Sequence, residues 1–147
     1  MANTWTDYGI NRMLDITFRN ATGPTACSVR LLSTQTGTGV DNEDWSGISS
    51  AEVANGNGYT TGGETVTLDA TGFDVLADDS ANNRQYLQLA DVSWTATGGS
   101  ITATGAALVM TDGGTDKVWA IFDFDGSVTA ADGGTLTMQN CELRVGV

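Results

Sequence analysis

From residue 26 onward the chain is cut into short apolar runs by turn signals, and this punctuation limits the fold more than any other feature. Asn55-Gly56 and Asn57-Gly58, Asp112-Gly113-Gly114, Asp125-Gly126 and Asp132-Gly133-Gly134 are steps that favour left-handed or tight-turn backbone. Between them lie stretches that alternate apolar and polar residues, the period of a half-buried strand. Ala26 to Ser33 sets Cys27, Val29 and Leu31 against Ser28, Arg30 and Ser33. Glu64 to Asp69, Gln85 to Trp94 and Ser100 to Met110 read the same way, the last with Gly105 as a bulge or close-approach position. Lys117 to Phe124 (KVWAIFDF) is apolar on both faces, so it belongs at the centre of a sandwich or against another copy. Leu143 to Val147 ends the series. Eight or so strands in this spacing predict a mainly β protein, an antiparallel β-sandwich or jelly roll.

One helix precedes them. Thr6 or Asp7 can cap it, Ile10, Met13, Leu14 and Phe18 form one helical stripe expected to cover part of the sheet, and Asn20, Gly23 and Pro24 end it. The expected organisation is a single domain over 1–147, with an N-terminal segment and short helix at 1–24 and the β-sandwich at 25–147. Composition agrees: 22 Thr and 19 Gly suit strands and turns. Only 30 of 147 residues are Leu, Ile, Val or Phe. So lean a core points to an oligomer that pools its apolar surface between copies.

Charge and residue types remove several function classes. Six Lys+Arg against 18 Asp+Glu give a net charge of −12 and a pI near 4.1, unsuited to phosphate backbones or anionic membrane surfaces. Neither nucleic acid nor membrane is expected as a partner. There is no histidine, so His-dependent nucleophilic catalysis and paired-histidine zinc sites have no residues to use. Met1-Ala2-Asn3-Thr4-Trp5 lacks the pattern of a signal peptide, and the chain is expected to be made in the cytoplasm as a soluble protein. Cys27 and Cys141 have no metal-ligand spacing and read as buried free thiols.

The remaining chemistry is sparse. Asp41, Glu43 and Asp44, Asp78 with Asp79, and Asp123 with Asp125 are acidic clusters, but among 18 acids they single out no catalytic pair. Asp123-Phe124-Asp125-Gly126 lacks the later ligands of a calcium loop. No phosphate-binding loop is present, and no catalytic residue, metal ligand or cofactor site is assigned. Trp45 and Tyr59, in polar surroundings, are the candidate aromatics for stacking on a receptor glycan, together with the loop at 35–45. Trp5, Tyr8 and Trp119 are the candidate contacts to another copy or to a larger assembly.

Several stretches, taken in order, resemble a family of small structural proteins of tailed bacteriophages, the capsid decoration (cement), head-fibre and tail-fibre proteins. A short helix (NRMLDITF) leads into Ser28-Val29-Arg30-Leu31-Leu32-Ser33-Thr34 and then a Glu-Val to Gly-Tyr element, Glu52-Val53-Ala54-Asn55-Gly56-Asn57-Gly58-Tyr59. Val92-Ser93-Trp94, the run Ala106 to Asp112 with Gly113-Gly114, then KVWAIFDF and residues 128–137 (VTAADGGTLT) complete the likeness, which spans most of 10–145. The resemblance implies a homotrimeric decoration protein on the outer surface of the virion capsid, partnered by the major capsid protein and not an enzyme. The alternative it leaves open is a head- or tail-fibre module that binds a host receptor or glycan.

Overall fold

The computed structural model describes residues 3–34 and 43–146. The expected loop at 35–45, and Asp41 within it, lie largely outside the described residues.

The fold is mainly β, all its strand pairs are antiparallel, and a helix stands near the N-terminus. The strands are β1 (Asn3–Trp5), β2 (Ala26–Leu32), β3 (Glu64–Thr65), β4 (Val75–Asp79), β5 (Arg84–Leu89), β6 (Val92–Thr95), β7 (Ile101–Asp112), β8 (Thr115–Ala130), β9 (Thr135–Met138) and β10 (Cys141–Gly146). The helices are α1 (Asp7–Arg19) and the single turn α2 (Trp45–Ile48), with 3-10 turns at Ser49–Ala51 and Ser80–Asn82. Five strands form a sheet in the order β1-β8-β7-β2-β3, three form β10-β5-β4, and β6 pairs with β9.

The packing is sandwich-like. One face of the large sheet, with Val29, Leu31, Leu108 and Phe122, meets Leu89 of β5, Trp94 of β6, Leu136 and Met138 of β9 and Leu143 of β10. The opposite face, with Ala107, Val109, Val118 and Ile121, is covered by Trp45, Ile48 and Ala51. KVWAIFDF is apolar on both faces for this reason: β8 lies between two cores of its own chain.

Local chemistry explains where the elements bend. Gly56 and Tyr59 exchange backbone hydrogen bonds of 2.9 Å around Asn57 and Gly58, whose φ values of 53° and 89° are those of the two-residue turn that Asn-Gly prefers. Next to Gly105 the β7–β8 register slips, but Gly105 is itself paired, with Asp123, and the extra residues lie on β8.

Other expectations are corrected. Asp125-Gly126 does not end a strand: with φ of 56° and 145° it forms a bulge inside β8, where Phe124 to Ser127 stand opposite Thr104 alone. The run at Glu64 to Asp69 is a strand for only two residues, because the Asp69 carboxylate accepts from Thr71 N–H at 2.7 Å and turns the chain. Gln85 to Trp94 divides at Ala90-Asp91 into β5 and β6, which join different sheets. The boundary at 25 does not separate helix from sandwich, since Asn3, Thr4 and Trp5 pair with Phe122, Ile121 and Ala120 and make β1 the edge of the large sheet.

Candidate assembly surface

A second bulge, in β8 at Trp119, fixes the helix. Leu108 pairs with Ala120 and Val109 with Val118, leaving Trp119 as the extra residue with its carbonyl outside the β7 ladder. The start of α1 uses that backbone. Thr6 N–H donates to the Trp119 carbonyl at 2.9 Å, and the Thr6 hydroxyl donates to the Val118 carbonyl at 2.6 Å while accepting from Gly9 N–H at 3.0 Å as the N-cap. Gly9 packs against the Trp119 carbonyl with no room for a side chain.

One turn further on, polar groups complete the anchor. The Arg12 guanidinium donates to both Asp112 oxygens, at 2.5 and 2.9 Å, and also to the Asp15 carboxylate and the Thr22 carbonyl. Tyr8 donates its hydroxyl to Asp112 at 2.8 Å and sets its ring edge-on to Trp119 at 6.2 Å. The Arg12 hydrogen bonds hold the buried Asp112 carboxyl below the usual carboxylate range, and burial with the Asp112 hydrogen bond pushes Tyr8 up to about 12. Asn20, at φ 56°, then closes the helix.

This anchoring turns the helix over relative to the sequence expectation. Gly9, Arg12, Met13 and Ile16 face the sheet, while Ile10, Leu14 and Phe18 are 39%, 54% and 78% exposed. Of the predicted stripe only Met13 packs on the core. The apolar periodicity was real, but the tight Gly9 contact and the charged bond to Asp112 decide which side meets β8. Arg12 and Asp112 are the residues sequence reasoning missed. The available signal was Tyr8 and Arg12 one helical turn apart, and Asp112 read only as turn punctuation.

The aromatics assigned as contacts to other molecules are accounted for within the chain. Trp5 and Trp119 are buried in the core, and Tyr8 is half-buried with its hydroxyl held by Asp112. Tyr59 is buried: its hydroxyl donates to Glu52 at 2.8 Å and accepts from Leu31 N–H at 3.1 Å. Glu52 also accepts from Gly62 N–H at 2.6 Å, so the Glu-Val to Gly-Tyr element is a structural lock. Trp45 is buried too. The Arg30 guanidinium lies 4.8 Å from its ring centre and Ile48 and Val118 share its core, so neither aromatic offers a free face for a sugar.

The acidic clusters have local partners. Asp44 binds Lys117 at 2.6 Å, Asp79 binds Arg84 at 2.6 Å, Asp78 accepts from Gln85, and Asp123 accepts from Asp125 N–H. Cys27 and Cys141 are buried free thiols, pushed up to about 12 and about 11 by burial. No helix among the described residues is long and apolar enough to cross a membrane.

Among the described residues, surfaces that the chain's own packing leaves open include the outward face of α1, Leu76 of β4, a cavity beside Trp45, Gly114 and Asp116, and an apolar groove at the other end of β8. The groove, about 120 Å³, is lined by Phe124, Val128, Leu136, Thr137 and Met138. Comparison with models of known families, with curated proteins and with solved structures returned no match.

Proposed function

We propose that the chain is a structural protein of a phage virion, a capsid decoration (cement) protein that binds as a homotrimer to the outside of the major capsid shell. It acts through buried contact area rather than through chemistry. The observation that supports a contact role is the outward stripe Ile10, Leu14 and Phe18 on a helix clamped at its other side by Thr6, Gly9 and Arg12. The largest exposed apolar patch on a soluble protein is often functional. The phage assignment rests on the order of sequence elements that resemble that family.

A fibre module that stacks host glycans on Trp45 and Tyr59 is the weaker reading, because both rings are covered. Immunogold labelling of virions separates the two. Uniform labelling of the head supports decoration; labelling confined to one vertex or the tail, or no virion labelling, contradicts it.

A further inference from the structure

The cavity beside Trp45 lies between α2 with its following turn and the tip of the β7–β8 hairpin. Trp45, Ser46, Ser49, Gly114, Thr115 and Asp116 line it. It holds about 510 Å³, within the range of about 300–1,000 Å³ usual for small-molecule sites. Its two chemically distinct walls are fixed by one guanidinium. Arg30, on β2, donates to the Asp116 carboxylate at 2.6 Å and to the Ser28 hydroxyl at 3.1 Å, and lies 4.8 Å from the Trp45 ring centre. The Thr111 hydroxyl donates to the other Asp116 oxygen at 2.9 Å. Indole and carboxylate therefore hold their places before any ligand arrives. Gly113 and Gly114, at φ 60° and 82°, make the hairpin tip without side chains, so no side chain from the tip closes the cavity.

The polar groups at this cavity are only partly used. Trp45 is 7% exposed, and its indole N–H has no hydrogen-bond partner among the described residues. The Trp5, Trp94 and Trp119 indole N–H groups are also unpaired, but they are shut in the core. The Ser46 and Thr115 hydroxyls have no partner among the described residues either, while the Ser49 hydroxyl donates to the Ser46 carbonyl at 3.2 Å. Each Asp116 oxygen keeps a lone pair after Arg30 and Thr111 are served, and that side chain is 36% exposed.

We propose that this cavity binds a neutral saccharide. An unpaired donor, a carboxylate that only accepts, and hydroxyls that do both are all satisfied by one kind of ligand group, another hydroxyl. One sugar hydroxyl accepts from the Trp45 indole N–H and a second donates to Asp116, with Ser46 and Thr115 bonding the rest. An anion would take the indole N–H but be repelled by Asp116 and by a chain of net charge −12. A cation finds Asp116 already neutralised by Arg30. The faces of the Trp45 ring stay covered, so the sugar lies at the indole edge and does not stack. The inference goes beyond the proposed function and rests on neither the trimer nor the capsid, so its failure leaves both standing.

Proton–nitrogen correlation spectra of the full chain, titrated with maltose, lactose, cellobiose and diacetylchitobiose at millimolar concentrations, test it. Trp45→Ala and Asp116→Ala would strip Arg30 of its partners and disturb the fold, so the variant to use is the exposed pair Ser46→Ala with Thr115→Val. At least one of these sugars is expected to shift the Trp45 indole signal together with the Ser46, Ser49, Thr115 and Asp116 amides. The double variant should keep the wild-type spectrum elsewhere and bind that sugar about tenfold more weakly. No shift with any of the four sugars, shifts centred away from these residues, or a double variant that binds as tightly as wild type overturns the inference.

Discussion

Gly9 of the N-terminal helix lies directly on the carbonyl of Trp119, so close that a β-carbon would overlap the oxygen. That contact lets α1 approach the bulge in β8 and fixes which side faces outward. Gly9→Ala should therefore destabilise the protein by up to about 2 kcal/mol, because an overpacking cost of about 1–3 kcal/mol against the Trp119 carbonyl offsets the gain of about 1 kcal/mol in helix propensity. Urea denaturation monitored by tryptophan fluorescence measures it.

The Tyr8, Arg12 and Asp112 cluster predicts a response to pH at both ends. Asp112 is depressed chiefly by its hydrogen bonds from Arg12, so its contribution is present above the unfolded carboxylate value near 3.9 and is lost as pH falls through the lower folded value. Tyr8 is raised to about 12, so its contribution is present below about pH 10 and is lost as pH rises towards 12. Asp112→Ala should cost roughly 3 kcal/mol at neutral pH by leaving Arg12 without its main partner. The gap between wild type and Asp112→Asn in urea midpoint should shrink on acidification.

Trp45 and Trp119 are equally committed to the fold, at 7% and 4% exposure. Replacing either by Ala should cost about 3–5 kcal/mol in chemical unfolding. A Trp45→Ala protein as stable as wild type would contradict the placement of that ring under Arg30.

Tyr59→Phe removes the hydroxyl that links Glu52 to Leu31 N–H and leaves a buried donor without its partner. A loss of about 1–3 kcal/mol is expected. Differential scanning calorimetry detects a change of that size as a lowered Tm.

The strand content and most turns were legible because period-two alternation and Asn-Gly or Asp-Gly steps act locally. β2, β7 and the Asn57-Gly58 turn lie where alternation and turn chemistry place them. Asp125-Gly126 misled because the dipeptide that makes a turn also makes a bulge, and only the pairing of β7 on both sides of it decides between them. The direction of α1 was not legible at all: its apolar stripe points away from the sheet because of Trp119 and Asp112, more than 90 residues downstream. Burial of Trp45 and Tyr59 was hidden likewise, since polar sequence neighbours say nothing of Arg30 or Leu31 folded across them.

The proposed role requires the outward face of α1 to be covered by another protein molecule in the assembled state. A thiol placed there reports on it, because Cys27 and Cys141 are buried, with thiols pushed up to about 12 and about 11, and react slowly. The measurement is the rate at which Leu14→Cys reacts with a thiol reagent as protein concentration is varied. Slow labelling at high concentration that becomes fast on dilution is the predicted result; labelling equally fast at every concentration would contradict the claim.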